Sequence, residues 1–204
     1  MAQELKPLPF KLGSLKGISE KAMLIHHDKL YAGYVKKSDE IGEKLIALRK
    51  SDNYEGNATF SELRALKDAE TFAINGVYLH EWYFDVLGGD GVADKAPQLS
   101  KAFIEKWGSI EDGIKWFSAC AMAARGWSIL AWDLKAGRLK HYNGDSHNQG
   151  GVWGSIPVIT LDCFEHAYFI DYGSDKKKYI EDFWKNLDWV KAEELYLKVS
   201  QLSI

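Results

Sequence analysis

The chain has 204 residues, of which 46% are hydrophobic and 27% are charged, and its formal net charge is −3. This composition is typical of a globular protein that buries about 70% of its unfolded surface. No block of basic residues indicates a nucleic-acid partner, and no apolar run approaches the ~18 residues of a membrane span. The N-terminus lacks the apolar segment of a secretory signal, so we expect no membrane association and a cytoplasmic location.

The first half of the chain predicts two long helices. Ser19 is a plausible N-cap for a helix that runs to about Leu48, and a second helical pattern runs from about Thr59 to Leu87. A short polar loop joins them, which indicates an antiparallel hairpin. The glycine-rich segment 88–97 then predicts a domain boundary, with a helical hairpin domain in residues 1–92 and a second domain in residues 93–204.

The second half mixes helices and strands. Further helices are expected near residues 98–107, 109–125, 176–187 and 188–200, and strands near residues 127–132, 139–142 and 156–162. The predicted class is therefore α+β, a long α-helical hairpin followed by a domain with a three-stranded antiparallel sheet and surrounding helices. Eight tryptophans predict an aromatic-rich interior, and the two cysteines lack metal or disulfide spacing and are expected to be buried thiols.

A carboxylate and an imidazole follow the last apolar strand. Asp162 ends that strand, and His166 comes four residues later. A buried carboxylate is costly unless it is paired or bound to a metal, although Asp162 could instead cap a helix that starts at residue 163. His26 and His80 lie on apolar helical faces, where a single histidine is more often a hydrogen-bonded core residue. Three imidazoles and a carboxylate suit a first-row metal with an open position, but the spacing alone leaves the metal undetermined.

Gly76 and His27 raise two further questions. Gly76 lies one turn before His80 and destabilises a helix by ~1 kcal/mol relative to alanine. Its small size either leaves room for a side chain or a bound group, or allows two helices to pack closely. His27 points away from the face of His26, so we expect it to be exposed.

These residues also carry a resemblance to a known family. The chain resembles the iron/manganese superoxide dismutases over nearly its whole length. The most specific match is the stretch 162–168, which is similar to the family signature D-x-W-E-H-A-Y. Other matching residues lie at the N-terminus, around the two upstream histidines and after the fourth predicted helix: Leu8-Pro9-Phe10, His26, Lys29, Tyr34, His80 and Gly126-Trp127.

The resemblance implies an activity and a metal site. It implies that His26, His80, Asp162 and His166 bind one Fe or Mn ion per chain, with solvent as a fifth ligand, between the two domains. It also implies a ping-pong reaction that converts superoxide to dioxygen and hydrogen peroxide. Two alternatives stay open: a non-catalytic or weakly active metal-binding homologue, and an Fe/Mn enzyme with different redox chemistry.

The resemblance further implies supporting roles around that site. Tyr34 matches the family's gateway tyrosine, two helical turns from His26. Lys29 and Lys176 fall where the family keeps cations that steer the anionic substrate, although each could be ordinary surface charge. Glu165 matches a residue that pairs with a metal-ligand histidine of the partner subunit, so we expect a homodimer.

The chain departs from the family at the residue beside the bound solvent. Family members usually place a glutamine there, either at the position of Gly76 or in the loop before the last strand. Counting back from Asp162 places His147 in that loop position, and Gln149 is the alternative if the loop is offset. This combination is similar to members that use iron or accept either metal, and it favours iron slightly.

A second departure affects a pair of polar residues. The family usually joins a histidine four residues after the first ligand to a tyrosine across the dimer interface. Leu30 and Phe169 occupy these positions here, and replacing both avoids leaving one buried and unpaired. The chain has either lost one proton-relay contact while keeping the site, or has a changed dimer or weakened activity. Phe164 replaces the usual tryptophan and keeps an aromatic wall.

Overall fold

A computed structural model of the chain describes residues 3–52 and 54–202. Helix α1 (Glu20–Ile25) begins at Ser19, whose hydroxyl accepts a hydrogen bond from the backbone N–H of Ala22 at 3.1 Å. A π-helical turn (His26–Tyr31) follows, and helix α2 (Ala32–Ser51) continues from it. Helix α3 (Glu62–Asp85) runs back along α2 and completes the predicted hairpin. The hairpin is confirmed, but the sequence did not predict the π-helical turn.

The second half contains five more helices and three strands within the described residues. After a 3-10 turn (Ala93–Lys95), they follow in the order α4 (Pro97–Trp107), α5 (Ile110–Ala123), β1 (Trp127–Asp133), β2 (Arg138–Gly144), β3 (Ser155–Asp162), α6 (Glu165–Tyr172), α7 (Lys176–Asn186) and α8 (Trp189–Val199). The α+β class with a three-stranded antiparallel sheet is confirmed. Each predicted element is present, with ends that differ from the predicted ones by a few residues.

The sheet order is β2-β1-β3, and both pairs are antiparallel. Strand β1 therefore lies in the centre, and β3 forms an edge that tolerates Pro157, which has no N–H to donate. The register places Trp127, the first residue of β1, opposite Asp162, the last residue of β3. The sheet thus brings an indole and a carboxylate to the same end.

The core lies where the hairpin and the sheet meet, with α3 packed against β3. The aromatic-rich interior that we expected is present in part. Trp127 and Trp189 are buried, whereas Trp116 is 54% exposed and Trp153 is fully exposed. Cys163 is buried and Cys120 is half-buried, and both are free thiols.

In the described part of the chain, no helix combines the length and apolar character needed to cross a membrane. The division of the chain after residue 92 stays a prediction.

Candidate metal centre

Four side chains from both halves of the chain converge at the end of the sheet. His26 comes from the π-helical turn, His80 from α3, Asp162 from the end of β3 and His166 from the first turn of α6. One potential ligand atom from each of them lies within 4.8 Å of all the others. The Nε2 atoms of His26, His166 and His80 lie 3.0, 3.1 and 3.6 Å from Oδ2 of Asp162. The structure therefore brings together the four residues that the sequence singled out.

The two carboxylate oxygens of Asp162 have different neighbours. Oδ1 accepts a hydrogen bond from the backbone N–H of Phe164, two residues later, at 2.9 Å, as aspartate does in a turn. Oδ2 faces the three imidazoles. Asp162 is therefore not the N-cap of α6, which is Phe164, and Oδ2 remains available to a cation.

His80 provides the clearest sign that the cluster suits a metal ion. Its Nδ1 lies 2.5 Å from the backbone oxygen of Gly76, one helical turn earlier, and must donate its proton there. Nε2 is then unprotonated, and it is buried without a hydrogen-bond partner among the described residues. Buried polar atoms nearly always have a partner, and a bare imidazole nitrogen aimed at a carboxylate is what a metal ligand requires. The residues present therefore fit a bound ion.

The protonation of the cluster follows from burial and from the charge of Asp162. Burial lowers the pKa of His80 to about 3, and burial also lowers the pKa of His26 although Asp162 opposes this effect. Burial acts to lower the pKa of His166 too, but the charge and hydrogen bond of Asp162 raise that pKa above its ordinary value. Burial would raise the pKa of Asp162, yet His166 and His26 hold it well below its usual range. Asp162 is thus ionised, and a bound cation would displace any proton that His166 shares with it.

His27 differs from the prediction. It is buried, and both ring nitrogens have partners: Nδ1 lies 2.7 Å from Oδ1 of Asp28, and Nε2 lies 2.8 Å from the backbone oxygen of Lys6. The expectation of exposure was wrong because the N-terminal arm, 21 residues earlier in the chain, covers the ring. His27 therefore holds the arm and has no nitrogen left for a metal.

Gly76 makes room for the ring of Tyr34. A Cβ atom at position 76 would lie 2.7 Å from Cδ1 of Tyr34, closer than carbon atoms approach one another. The ring of Tyr34 then lies 5.4 Å from that of His80 and 4.6 Å from that of His147, between ring centroids. Of the two interpretations of Gly76, the structure favours the one in which its small size admits a side chain.

His147 lies in the site, and Gln149 lies on the surface. His147 is 5% exposed, and its Nδ1 accepts a hydrogen bond from Nε1 of Trp127 at 3.0 Å. The neutral ring must then carry its proton on Nε2. Burial lowers the pKa of His147 to about 4, so the neutral form is present near neutral pH. Trp127, which sequence reasoning gave no role, thus sets the tautomer of His147, and its place opposite Asp162 in the sheet could not be foreseen before the register was known.

The remaining candidate residues lie around the outside of the cluster. Lys176 donates from Nζ to the backbone oxygen of Ala124 at 2.6 Å and borders a surface depression of ≈ 500 Å³ that also contacts Glu165 and His166. Lys29 and Glu165 are exposed. Leu30 is half-buried and Phe169 is 58% exposed, so the two apolar replacements are close to solvent in the single chain.

Comparisons with known proteins agree with this arrangement. Residues 2–88 match the family model described as iron/manganese superoxide dismutases, alpha-hairpin domain, and residues 95–195 match the model of the C-terminal domain of the same enzymes. The chain is 40% identical to superoxide dismutase [Fe] of Aquifex pyrophilus, over 91% of this chain and 87% of that protein. It is 34% identical to superoxide dismutase [Mn] of Haloarcula marismortui, over 96% of this chain and 94% of that protein.

Both halves of the chain thus match one family, and the relatives above cover most of its length. The names of these relatives give no support to a non-catalytic homologue. The chain belongs to the iron/manganese superoxide dismutase family.

Proposed function

We propose that this superoxide dismutase carries out its reaction at the cluster of His26, His80, Asp162 and His166, which holds its one Fe or Mn ion. The observation that carries this assignment is the bare, buried Nε2 of His80, aimed at the carboxylate that the other two imidazoles also face. When bound, the ion supplies the electron chemistry by alternating between its trivalent and divalent states.

The protein must supply protons, because the reaction converts two superoxide ions and two protons into dioxygen and hydrogen peroxide. Tyr34 and His147 are the two residues that we assign to this task. Burial raises the pKa of Tyr34, and the charge of Asp162 adds to that effect, so its hydroxyl keeps its proton. The bond from Trp127 leaves the proton of His147 on Nε2. Both side chains can thus donate a hydrogen bond to the reduced substrate at the site.

The anionic substrate needs a favourable field on an acidic protein. We assign this role to Lys176, beside the depression that reaches His166, and to the exposed Lys29, which lies three residues after His26. Isolated positive charges near a site raise the rate of encounter with an anion, and salt screens this effect.

We also propose that the chain forms a homodimer through the exposed face of α6. Phe169 and Ile170 are 58% and 41% exposed, and Glu165 lies exposed on the same helix beside His166. Adjacent large apolar side chains on a surface typically mark an interface. A second copy would cover this face and bring Glu165 towards the partner's site. Phe169→Glu should then convert the dimer to a monomer in sedimentation, whereas a parent chain that sediments as a monomer would contradict the proposal.

The preference for iron that Gly76 and His147 suggested stays a prediction. Relatives named for iron and for manganese are similar to the chain over most of its length. The cytoplasmic location likewise stays a prediction.

Metal analysis tests the assignment of the site. Protein expressed with both metals available should contain Fe or Mn at close to one equivalent per chain. The isosteric change Asp162→Asn should remove the metal. Zinc alone in the parent, or an unchanged metal content in Asp162→Asn, would contradict the assignment.

A further inference from the structure

Two tyrosine hydroxyls form a hydrogen-bonded chain behind Asp162. The hydroxyl oxygen of Tyr179 lies 2.9 Å from the backbone oxygen of Asp162 and 3.0 Å from the hydroxyl oxygen of Tyr83. Both tyrosines are fully buried. The two hydroxyls therefore lie in the protein interior. They contact the backbone of Asp162, whose carboxylate faces the three imidazoles.

The direction of donation in these two hydrogen bonds follows from the groups involved. A carbonyl oxygen can only accept, so Tyr179 must donate its single proton to Asp162. Tyr83 must then donate its own proton to the oxygen of Tyr179. The geometry therefore fixes the order of donation: Tyr83 to Tyr179, and Tyr179 to Asp162.

The two hydroxyls join two of the segments that provide candidate ligands, α3 and β3, through α7. Tyr83 lies on α3, three residues after His80, and its ring is 5.3 Å from the ring of His26 between centroids. Tyr179 lies on α7, and Asp162 ends β3. The two hydroxyls thus connect the helical hairpin to the sheet directly beneath the cluster.

The bond from Tyr179 complements two other hydrogen bonds that hold the chain at Asp162 and Cys163. Oδ1 is held by the N–H of Phe164, and the next residue, Cys163, donates its N–H to the backbone oxygen of Gly126 at 2.7 Å. The N–H of Cys163 shares one rigid peptide plane with the carbonyl group of Asp162, so Gly126 holds one edge of that plane and Tyr179 holds the other. If the peptide plane between residues 162 and 163 rotates, the direction of Oδ2 changes with it.

We propose that Tyr179 and Tyr83 are positioning residues that orient Asp162 toward the bound metal ion, with Tyr83 acting through Tyr179. This inference rests on the proposed site. It assigns to two buried phenols a role that neither their distance along the chain nor their side-chain chemistry indicates, because the group they hold is a backbone carbonyl.

The test is the rate at which the loaded protein releases its metal. Parent, Tyr179→Phe, Tyr83→Phe and the double variant are loaded with manganese and mixed with excess EDTA, and metal release is followed with time. Release from Tyr179→Phe should be about tenfold faster than from the parent, since outer hydrogen bonds to ligands typically change metal affinity by that order. Tyr83→Phe should give a smaller increase, and the double variant should match Tyr179→Phe because the two hydroxyls act in series.

Tyr142→Phe is the matched control. The Tyr142 hydroxyl also makes one hydrogen bond, to Oδ2 of Asp133 at 2.7 Å, but at the opposite end of the sheet from Asp162. The thermal stability of each metal-free variant is measured alongside, so that general destabilisation is separated from an effect on the metal. If Tyr179→Phe fails to fold, Tyr83→Phe still provides the test.

Metal release from Tyr179→Phe that is no faster than from Tyr142→Phe would overturn the proposal, as would multiplied effects of the two changes in the double variant. Loss of the proposed site itself would show instead as a parent that holds no metal.

Discussion

The interior of the site and its exposed rim differ in how closely they follow the family pattern. In the interior, His26, His80, Asp162 and His166 are the residues that the resemblance implies as ligands, and one potential ligand atom from each lies within 4.8 Å of the others. At the rim, the apolar Leu30 and Phe169 stand where the resemblance implies a polar pair. The interior is constrained because buried polar atoms need partners, so one change there would leave others unpaired. In the single chain the rim is close to solvent, where paired polar groups can be exchanged for apolar ones, and we expect the chemistry to tolerate changes there.

The largest effect should come from removing the charge of Asp162. Asp162→Asn keeps the shape of the side chain but leaves three imidazoles without an anion, and metal affinity should fall by about 100-fold or more. The metal content after dialysis measures this loss. Asp182→Asn is the control, because Asp182 is also a buried carboxylate but pairs with Lys178, Lys185 and Tyr172. That variant should lose stability and keep its metal, and equal metal loss in both variants would contradict the assignment.

Replacing His147, which lies beside the cluster, should give the next largest effect, a loss of turnover. His147→Ala removes the Nε2 proton donor, so turnover should fall by about 10- to 100-fold while most of the metal is retained. Gln149→Ala should change turnover less than twofold, about the scatter of such assays, because Gln149 is exposed. Dismutation kinetics and the spectrum of the metal centre measure both. The reverse order would place the donor at Gln149.

How much of this site can be predicted from the sequence depends on whether its contacts are made by side chains or by backbone atoms. The four candidate ligands and the helical hairpin were predicted, because side-chain chemistry and periodicity are visible in the sequence. The burial of His27 was not, because its partner is the backbone of Lys6 in an arm without regular structure. The link between Trp127 and His147 depends on the strand register, and the bond from Tyr179 ends on a backbone oxygen. No pattern of residue types indicates such contacts.

Removing the charge of a lysine near the site should have a moderate effect on kcat/KM. Lys176→Gln and Lys29→Gln should each lower kcat/KM by about two- to fivefold at low ionic strength, and this difference should vanish at high salt. Lys135→Gln is the control, since Lys135 lies in the β1–β2 turn, away from the end of the sheet that holds the cluster. Dismutation rates measured over a range of salt concentrations give the comparison. A loss that persists at high salt would mean that the lysine acts through structure, as the bond from Lys176 to Ala124 would allow.

The smallest effect should come from the rim. Restoring the polar pair with Leu30→His and Phe169→Tyr together should leave metal content unchanged and alter turnover by about threefold or less, the range of a single relay contact near solvent. Stopped-flow turnover of the double variant and of each single variant measures this. A large loss of metal in the double variant would show that the rim and the interior are not independent.

The central claim is that the four-residue cluster carries out dismutation with one Fe or Mn ion. Its most direct test is a superoxide-dismutation assay on the parent and on Asp162→Asn, each reconstituted separately with iron and with manganese, with metal content measured on the same samples. We predict that the parent holds close to one equivalent of the active metal and consumes superoxide catalytically, and that Asp162→Asn does neither. A parent that binds a full equivalent of each metal and dismutates superoxide with neither would contradict the account.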